Sequence, residues 1–209
     1  MNSASVSLPD NLRIVEGLMT TLDADGVLNV APMGPLVDEN FEYFILRPFT
    51  SSTTYKNLKA SGQGVFHVTD DALLIARGAI GKLMNRSEGV GGDVMPTRPA
   101  SKVNGVVLTD ACRYHELVVE HLDDSQERTV IKTRCVRRES LRDFFGFCRA
   151  KHAVLEAAIL ATRLHLTGTS AVLGEYERLN VMVQKTGGND EHQAMRELTD
   201  FVRHAKTVS

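Results

Sequence analysis

Through its first half the chain alternates short apolar runs with polar turns, and in its last third it changes to long Ala- and Leu-rich stretches. Residues 14–22 (IVEGLMTTL) and 27–33 (VLNVAPM) flank Asp23-Ala24-Asp25-Gly26, where Gly26 can supply the positive φ of a tight turn. The pair predicts a β-hairpin. A third run, residues 41–46 (FEYFIL), is aromatic and β-branched and follows the turn signal Asp38-Glu39-Asn40. Three antiparallel strands in succession predict a meander or barrel. Residues 51–61 (SSTTYKNLKAS) then predict a short helix capped by hydroxyl residues, with Tyr55 and Leu58 inward and Gly62 at its end. Residues 64–69 (GVFHVT) predict a fourth strand, after which Asp70 or Asp71 can cap a helix over 72–80 (ALLIARGAI).

Residues 85–104 (NRSEGVGGDVMPTRPASKVN) are rich in Gly and Pro and read as a long surface loop. Residues 112–122 (CRYHELVVEHL) and 128–137 (RTVIKTRCVR), joined by a polar segment at 123–127, predict a long closing hairpin. From 144 to 166 there is no proline and one early glycine, which predicts a long helix. Two more helices follow, over 171–184 and from about Asp190 to 205. The pattern is mainly β with α: a strand-rich domain over 1–140 and a helical subdomain over 141–209.

Composition narrows the partners. At 209 residues, with 43% hydrophobic and 24% charged, the chain has enough apolar material for one large domain or a core with a helical appendage. Its 24 basic and 26 acidic residues leave a net charge of −2, so no overall positive field attracts nucleic acid. Cys112, Cys135 and Cys148 are odd in number and widely spaced, without a C-x-x-C pair, and read as reduced thiols. The opening MNSASVSLPDNL has neither a basic start nor an apolar run, and no stretch approaches the roughly 20 apolar residues that span a bilayer. A cytoplasmic protein with no membrane attachment is expected.

Two segments carry chemistry. Residues 29–34 (NVAPMG) are small and apolar, and residues 47–57 (RPFTSSTTYKN) are dense in donors suited to phosphate. Ser51, Ser52, Thr53 and Thr54 offer hydroxyls at a helix start whose backbone N–H groups favour anions, and Arg47 offers a forked cation. The plainer reading is a capped polar turn, with Arg47 at a strand end and Pro48 as a terminator. Arg149, His152, Glu156 and Arg163 share one stripe of the long helix, either as a solvated edge or as a face for an anionic substrate. His67 reads first as a satisfied core histidine and second as a group near a ligand. The other histidines lack metal-ligand spacing such as H-E-x-x-H, so no metal site is expected, and no G-x-G-x-x-G unit is present.

In order, NVAPMG, FILRPF, SSTTYKNL and VFHVTDD resemble the FMN-binding split-barrel superfamily, to which flavin reductases and flavoredoxins belong. The whole chain resembles domain of unknown function 447, through RAKHAVLEAAILATRLHL at 149–166 and KTGG at 185–188. This resemblance implies an antiparallel, Greek-key-like split β-barrel with C-terminal helices, holding FMN near the subunit interface of a homodimer. It implies phosphate contacts from Arg47, Ser52, Thr53, Thr54 and Asn57, with Pro48 beside them. Asn29, Ala31, Pro32, Met33 and Gly34 would lie along the isoalloxazine ring. SSTTYKN stands where the reductases carry K-D-T-x-x-N, with hydroxyl residues replacing the Lys-Asp pair. The implied activity is that of a flavin reductase-like oxidoreductase, with a nicotinamide among the candidate electron donors. A non-catalytic flavin carrier or partner-recruiting module is the alternative.

Overall fold

Turn chemistry sets the first strands. The Asp23 carboxylate accepts the N–H groups of Asp25 (2.9 Å) and Val27 (2.8 Å), and Gly26 sits at φ 79°, closing the predicted hairpin. The Asp38 carboxylate accepts from Asn40, Glu42 and Tyr43 and closes the next turn. The structure is a computed structural model that describes residues 11–83 and 95–205. In chain order its elements are β1 (Arg13–Ile14), β2 (Gly17–Leu22), β3 (Leu28–Met33), β4 (Leu36–Val37), β5 (Tyr43–Leu46), α1 (Thr53–Ser61), β6 (Gln63–Val68) and α2 (Ala72–Ala79). They continue with β7 (Thr97–Pro99), β8 (Val106–Leu108), β9 (Arg113–Asp123), β10 (Val130–Ser140), α3 (Arg149–Thr162), α4 (Leu164–Thr167), α5 (Thr169–Thr186) and α6 (Asn189–His204).

Eight strands form one antiparallel sheet in the order β1-β4-β5-β10-β9-β6-β2-β3, and β7 pairs with β8 separately. Two register shifts in the β9–β10 hairpin add the twist that lets it bridge β5 on one side and β6 on the other. The sheet curls into a half-barrel filled by Met19, Phe44, Leu46, Leu58, Phe66 and Leu117. Side chains alternate along a strand, so Leu18 faces the opposite way from Met19, and both are fully buried. Leu18 and Val30 join a second core with Ile75 and Ala76 of α2 and the inner faces of α3, α5 and α6. Six buried residues of α3, five of them alanine, let these helices approach closely, and Tyr176 donates to the Ala157 carbonyl at 2.7 Å. Among the described residues no helix is long and apolar enough to cross a membrane.

Several boundaries depart from the sequence pattern. The run at 14–22 is two strands, β1 and β2, separated at Val15 and Glu16. The loop expected at 85–104 falls outside the described residues from 85 to 94. The rest of it carries β7, because pairing with β8 satisfies its backbone. Strands β4 and β8 are too short to leave a pattern. The long helix begins at Arg149 rather than 144: the Asp70 carboxylate takes the Phe145 N–H at 2.6 Å and Gly146 turns back at φ 106°. That helix also breaks at Arg163, where the Arg163 N–H bonds to Leu160 and the chain restarts as α4.

His67 is the satisfied core histidine. Its Nε2 accepts the Leu108 N–H at 3.0 Å, which leaves the proton on Nδ1 to be donated to the Leu18 carbonyl at 3.3 Å. Burial holds its pKa down at about 4, against the opposing pull of the Leu18 and Val65 backbone. The unfolded chain takes up this proton near 6.5 and the folded chain only near 4. Stability should therefore fall by about 3 kcal/mol as the pH drops through that window. His115, held at about 3 chiefly by burial, adds a loss of the same sign. Asp70 is held at about 2 by its hydrogen bond from Arg142, so its contribution is lost as the pH falls from 3.8 towards 2. Equilibrium denaturation between pH 7 and 3 checks this, and a flat profile from 6.5 to 4.5 would contradict it.

Candidate functional site

Where β2 begins and β3 ends, the segment from Arg47 to Thr54 and the C-terminal part of α3 face each other across a cavity of about 340 Å³. Eight of the sequence-selected residues line it: Ala31, Pro32, Met33, Gly34, Arg47, Pro48, Ser52 and Thr54. Three do not. Thr53 is exposed on the first turn of α1, and Asn29 and Asn57 lie beneath the wall. Asn29 donates its amide to Thr21 Oγ1 (3.2 Å) and Thr54 Oγ1 (3.1 Å), and Asn57 donates to the same Thr21 oxygen at 3.1 Å. All four side chains are buried, so this network fixes the start of α1 against the first hairpin.

The start of α1 presents backbone donors towards the cavity. Ser52 is the cap: its hydroxyl accepts the Tyr55 N–H at 3.2 Å and donates to the Phe49 carbonyl at 2.8 Å. The N–H groups of Thr53 and Thr54 precede the first intrahelical bond, and no acidic residue occupies the first turn. The chain before the helix is clamped to the start of β10. Thr129 donates its N–H and hydroxyl to the Pro48 carbonyl, and Arg128 donates Nε to the Arg47 carbonyl at 3.3 Å.

That clamp brings in a cation the sequence did not single out. Arg128 lies over the Phe49 ring, 5.8 Å from its centroid, and lines the cavity with Arg47 and Arg163. Its pKa is pushed down by burial and then by Arg47 and Arg163, so the three guanidinium groups act on one another. Among the described residues none of the three forms an ion pair with a carboxylate. Three cations lining one cavity, two of them beside the start of α1, concentrate positive charge there.

The facing wall consists of Leu155, Ala158, Ile159, Thr162 and Arg163 of the α3 end, with His165 and Leu166 of α4. Of the charged stripe, Arg163 alone lines the cavity; Arg149, His152 and Glu156 are exposed, His152 against the Phe147 ring. Sequence reasoning missed Glu16, Gly17, Phe49 and Arg128. Their only signal was position at a strand end, and strand pairing at a distance decided their place. At Gly17 a Cβ would collide with the His67 carbonyl, so the close approach of β2 to β6 requires glycine there.

A curled half-barrel sheet with an arginine-rich cavity between its first hairpin and a covering set of helices defines a split-barrel protein with appended C-terminal helices. The chain belongs to the protein family of unknown function DUF447: the family's N-terminal domain matches residues 15–142, and its second model matches 148–200. The fold is shared with the FMN-bound protein MM1853 of Methanosarcina mazei, a DUF447 structure. The two are 22% identical with a TM-score of 0.74, over 90% of this chain and 94% of that one. More distant likenesses include the 2-nitrobenzoate 2-nitroreductase NbaA of Pseudomonas fluorescens (20% identity, TM-score 0.48, 64% of this chain and 66% of that one). Flavoredoxin of Desulfovibrio vulgaris (Miyazaki F) is another, at 12% identity and TM-score 0.47, over 67% of this chain and 76% of that one. No curated protein matches the sequence.

Proposed function

We infer that the cavity binds FMN and that the protein is an oxidoreductase of the flavin reductase-like type. One observation carries the reading: Arg47 and Arg128 beside the start of α1 and Arg163 on the facing wall form no ion pair with a carboxylate among the described residues, and all three line an otherwise largely apolar cavity. The FMN in the M. mazei structure of the same family supports the choice of anion. A cavity of about 340 Å³ falls in the range of small-ligand sites.

Arg47, Arg128, the Ser52 hydroxyl and the free N–H groups of α1 would hold the phosphate, and Ala31 to Gly34 with Leu155 and Ile159 would flank the ring. When bound, the flavin supplies a centre that takes up and returns two electrons. The protein's own part is position and shielding. The Thr21–Asn29–Thr54–Asn57 network holds the phosphate end still, and the α3–α4 wall keeps water from the ring. On this reading residues 1–140 form the flavin-binding unit and 141–209 the helical unit that closes over it. The rim residues Ile14, Phe49 and Leu166 are exposed apolar groups, which supports a homodimer whose second copy covers them. The free thiols of Cys112, Cys135 and Cys148 accord with a reducing cytoplasm.

Titrating the protein with FMN should shift and resolve the visible flavin bands, and light scattering should give twice the mass of one chain. Anaerobic NADH or NADPH should then bleach the bound flavin. Unshifted bands at saturating FMN would remove the cofactor assignment. Bands that shift and resist every donor would favour the carrier.

A further inference from the structure

The cavity has a second polar end that the phosphate does not use. Glu16, between β1 and β2, lines it as a half-buried carboxylate with no hydrogen-bond or ion-pair partner among the described residues. Its pKa is raised by burial and by Glu156, with Arg163 opposing. The backbone leaves room for it: at Gly34 a Cβ would stand 2.6 Å from Glu16 Oε1. A side chain on residue 34 would thus displace the carboxylate from the wall.

Strand β3 orders the cavity. At one end Asn29 of β3 bonds Thr54 at the start of α1, and just past the other end of the same strand Gly34 lies against the Glu16 carboxylate. The extended strand therefore holds the start of α1 and Glu16 roughly 15 Å apart, at opposite ends of the cavity. The titratable and charged groups lining this space besides Glu16 are Arg47 after β5, Arg128 before β10, Arg163 at the end of α3 and His165 of α4, and the exposed Glu156 of α3 acts on Glu16 from outside the lining. A carboxylate accepts hydrogen bonds and, when ionised, donates none. What completes it is a donor carried by the ligand at the end remote from the phosphate.

We propose that Glu16 accepts the imide N–H of the bound flavin ring and so selects ligands that carry such a donor opposite an anionic group. The assignment rests on the FMN reading above. It goes further in naming the residue that reads the ring rather than the phosphate. Oxidised isoalloxazine offers one ring N–H, at N3, and methylation at N3 removes it.

The test compares FMN with 3-methyl-FMN on the wild-type protein and on Glu16→Gln, which keeps the size and removes the charge. The wild type should prefer FMN by about tenfold or more, as for a hydrogen bond to a charged acceptor. In Glu16→Gln that preference should shrink by about fivefold. A second readout separates recognition from shape. The N3–H of bound FMN, titrated through its visible spectrum at alkaline pH, should ionise at higher pH in the wild type than in Glu16→Gln, because a carboxylate opposes a second negative charge beside it. Arg47→Ala should weaken both ligands and leave their ratio unchanged. An equal preference in wild type and Glu16→Gln, or an unmoved N3 ionisation, overturns the Glu16 assignment while FMN binding stands. Failure of the wild type to bind FMN removes the reading beneath it.

Discussion

Replacing Arg47 and Arg128 together by alanine should lower FMN affinity by about a hundredfold or more and riboflavin affinity by only a few-fold. The two ligands share ring and ribityl chain and differ in the phosphate, so the difference isolates the anion site. Both arginines line the cavity beside the α1 cap, and among the described residues neither forms an ion pair with a carboxylate. The cost falls on the ligand rather than on the fold. Removing two like charges relieves repulsion in the ligand-free protein while Arg128→Ala gives up its hydrogen bond to the Arg47 carbonyl and its place over the Phe49 ring, so the thermal midpoint should change little. Equilibrium titration followed by flavin fluorescence measures both affinities. Parallel losses for the two ligands would place the phosphate elsewhere.

The largest effect on stability belongs to Glu116. This β9 carboxylate is fully buried and accepts the N–H groups of Ser101 (3.0 Å), Lys102 and Val103 (3.1 Å) and the Ser101 hydroxyl (3.0 Å), with Arg137 Nε at 3.8 Å. Glu116→Ala leaves these donors without an acceptor and opens the segment that leads into β8. Strand β8 is tied to the sheet through Thr20 Oγ1, which donates to the Val106 carbonyl at 2.6 Å, and through the Leu108 N–H on His67. The expected loss is about 3 to 5 kcal/mol of unfolding free energy, and Glu116→Gln, which keeps one acceptor oxygen, should lose less than half of that. Denaturant unfolding gives the energies. Hydrogen exchange at residues 101–103 gives the locus, and native-like protection there in Glu116→Ala would contradict the assignment.

This latch also shows where reading the sequence stopped. Residues 85–104 carry the Gly and Pro content of a loop, and nothing local reveals that 101–103 hang on a carboxylate more than ten positions away. The hairpin at Asp23 to Gly26 was legible because its hydrogen bonds close within four residues. The α1 cap was legible for the same reason: Ser52 bonds Tyr55 three positions on. The resemblance implies ring and phosphate contacts for Asn29 and Asn57, whereas the fold turns their amides onto Thr21 and Thr54 under the wall. Composition shows only that such residues can donate; neighbours brought by other strands decide to what.

The sequence by itself determined the strand-then-helix order, the turns, the caps and the anion-suited segment from Arg47 to Asn57, since each rests on interactions spanning a few residues. The tertiary structure alone decided which charges meet there. Arg128 reaches Arg47 through the residue pairing of Phe49 with Arg128. Arg163 arrives because the long helix breaks one turn before its expected end. Glu16 is exposed to the cavity because β1 and β2 part around it. Contacts between residues far apart in the chain depend on the register of the whole sheet, and no local pattern encodes that register.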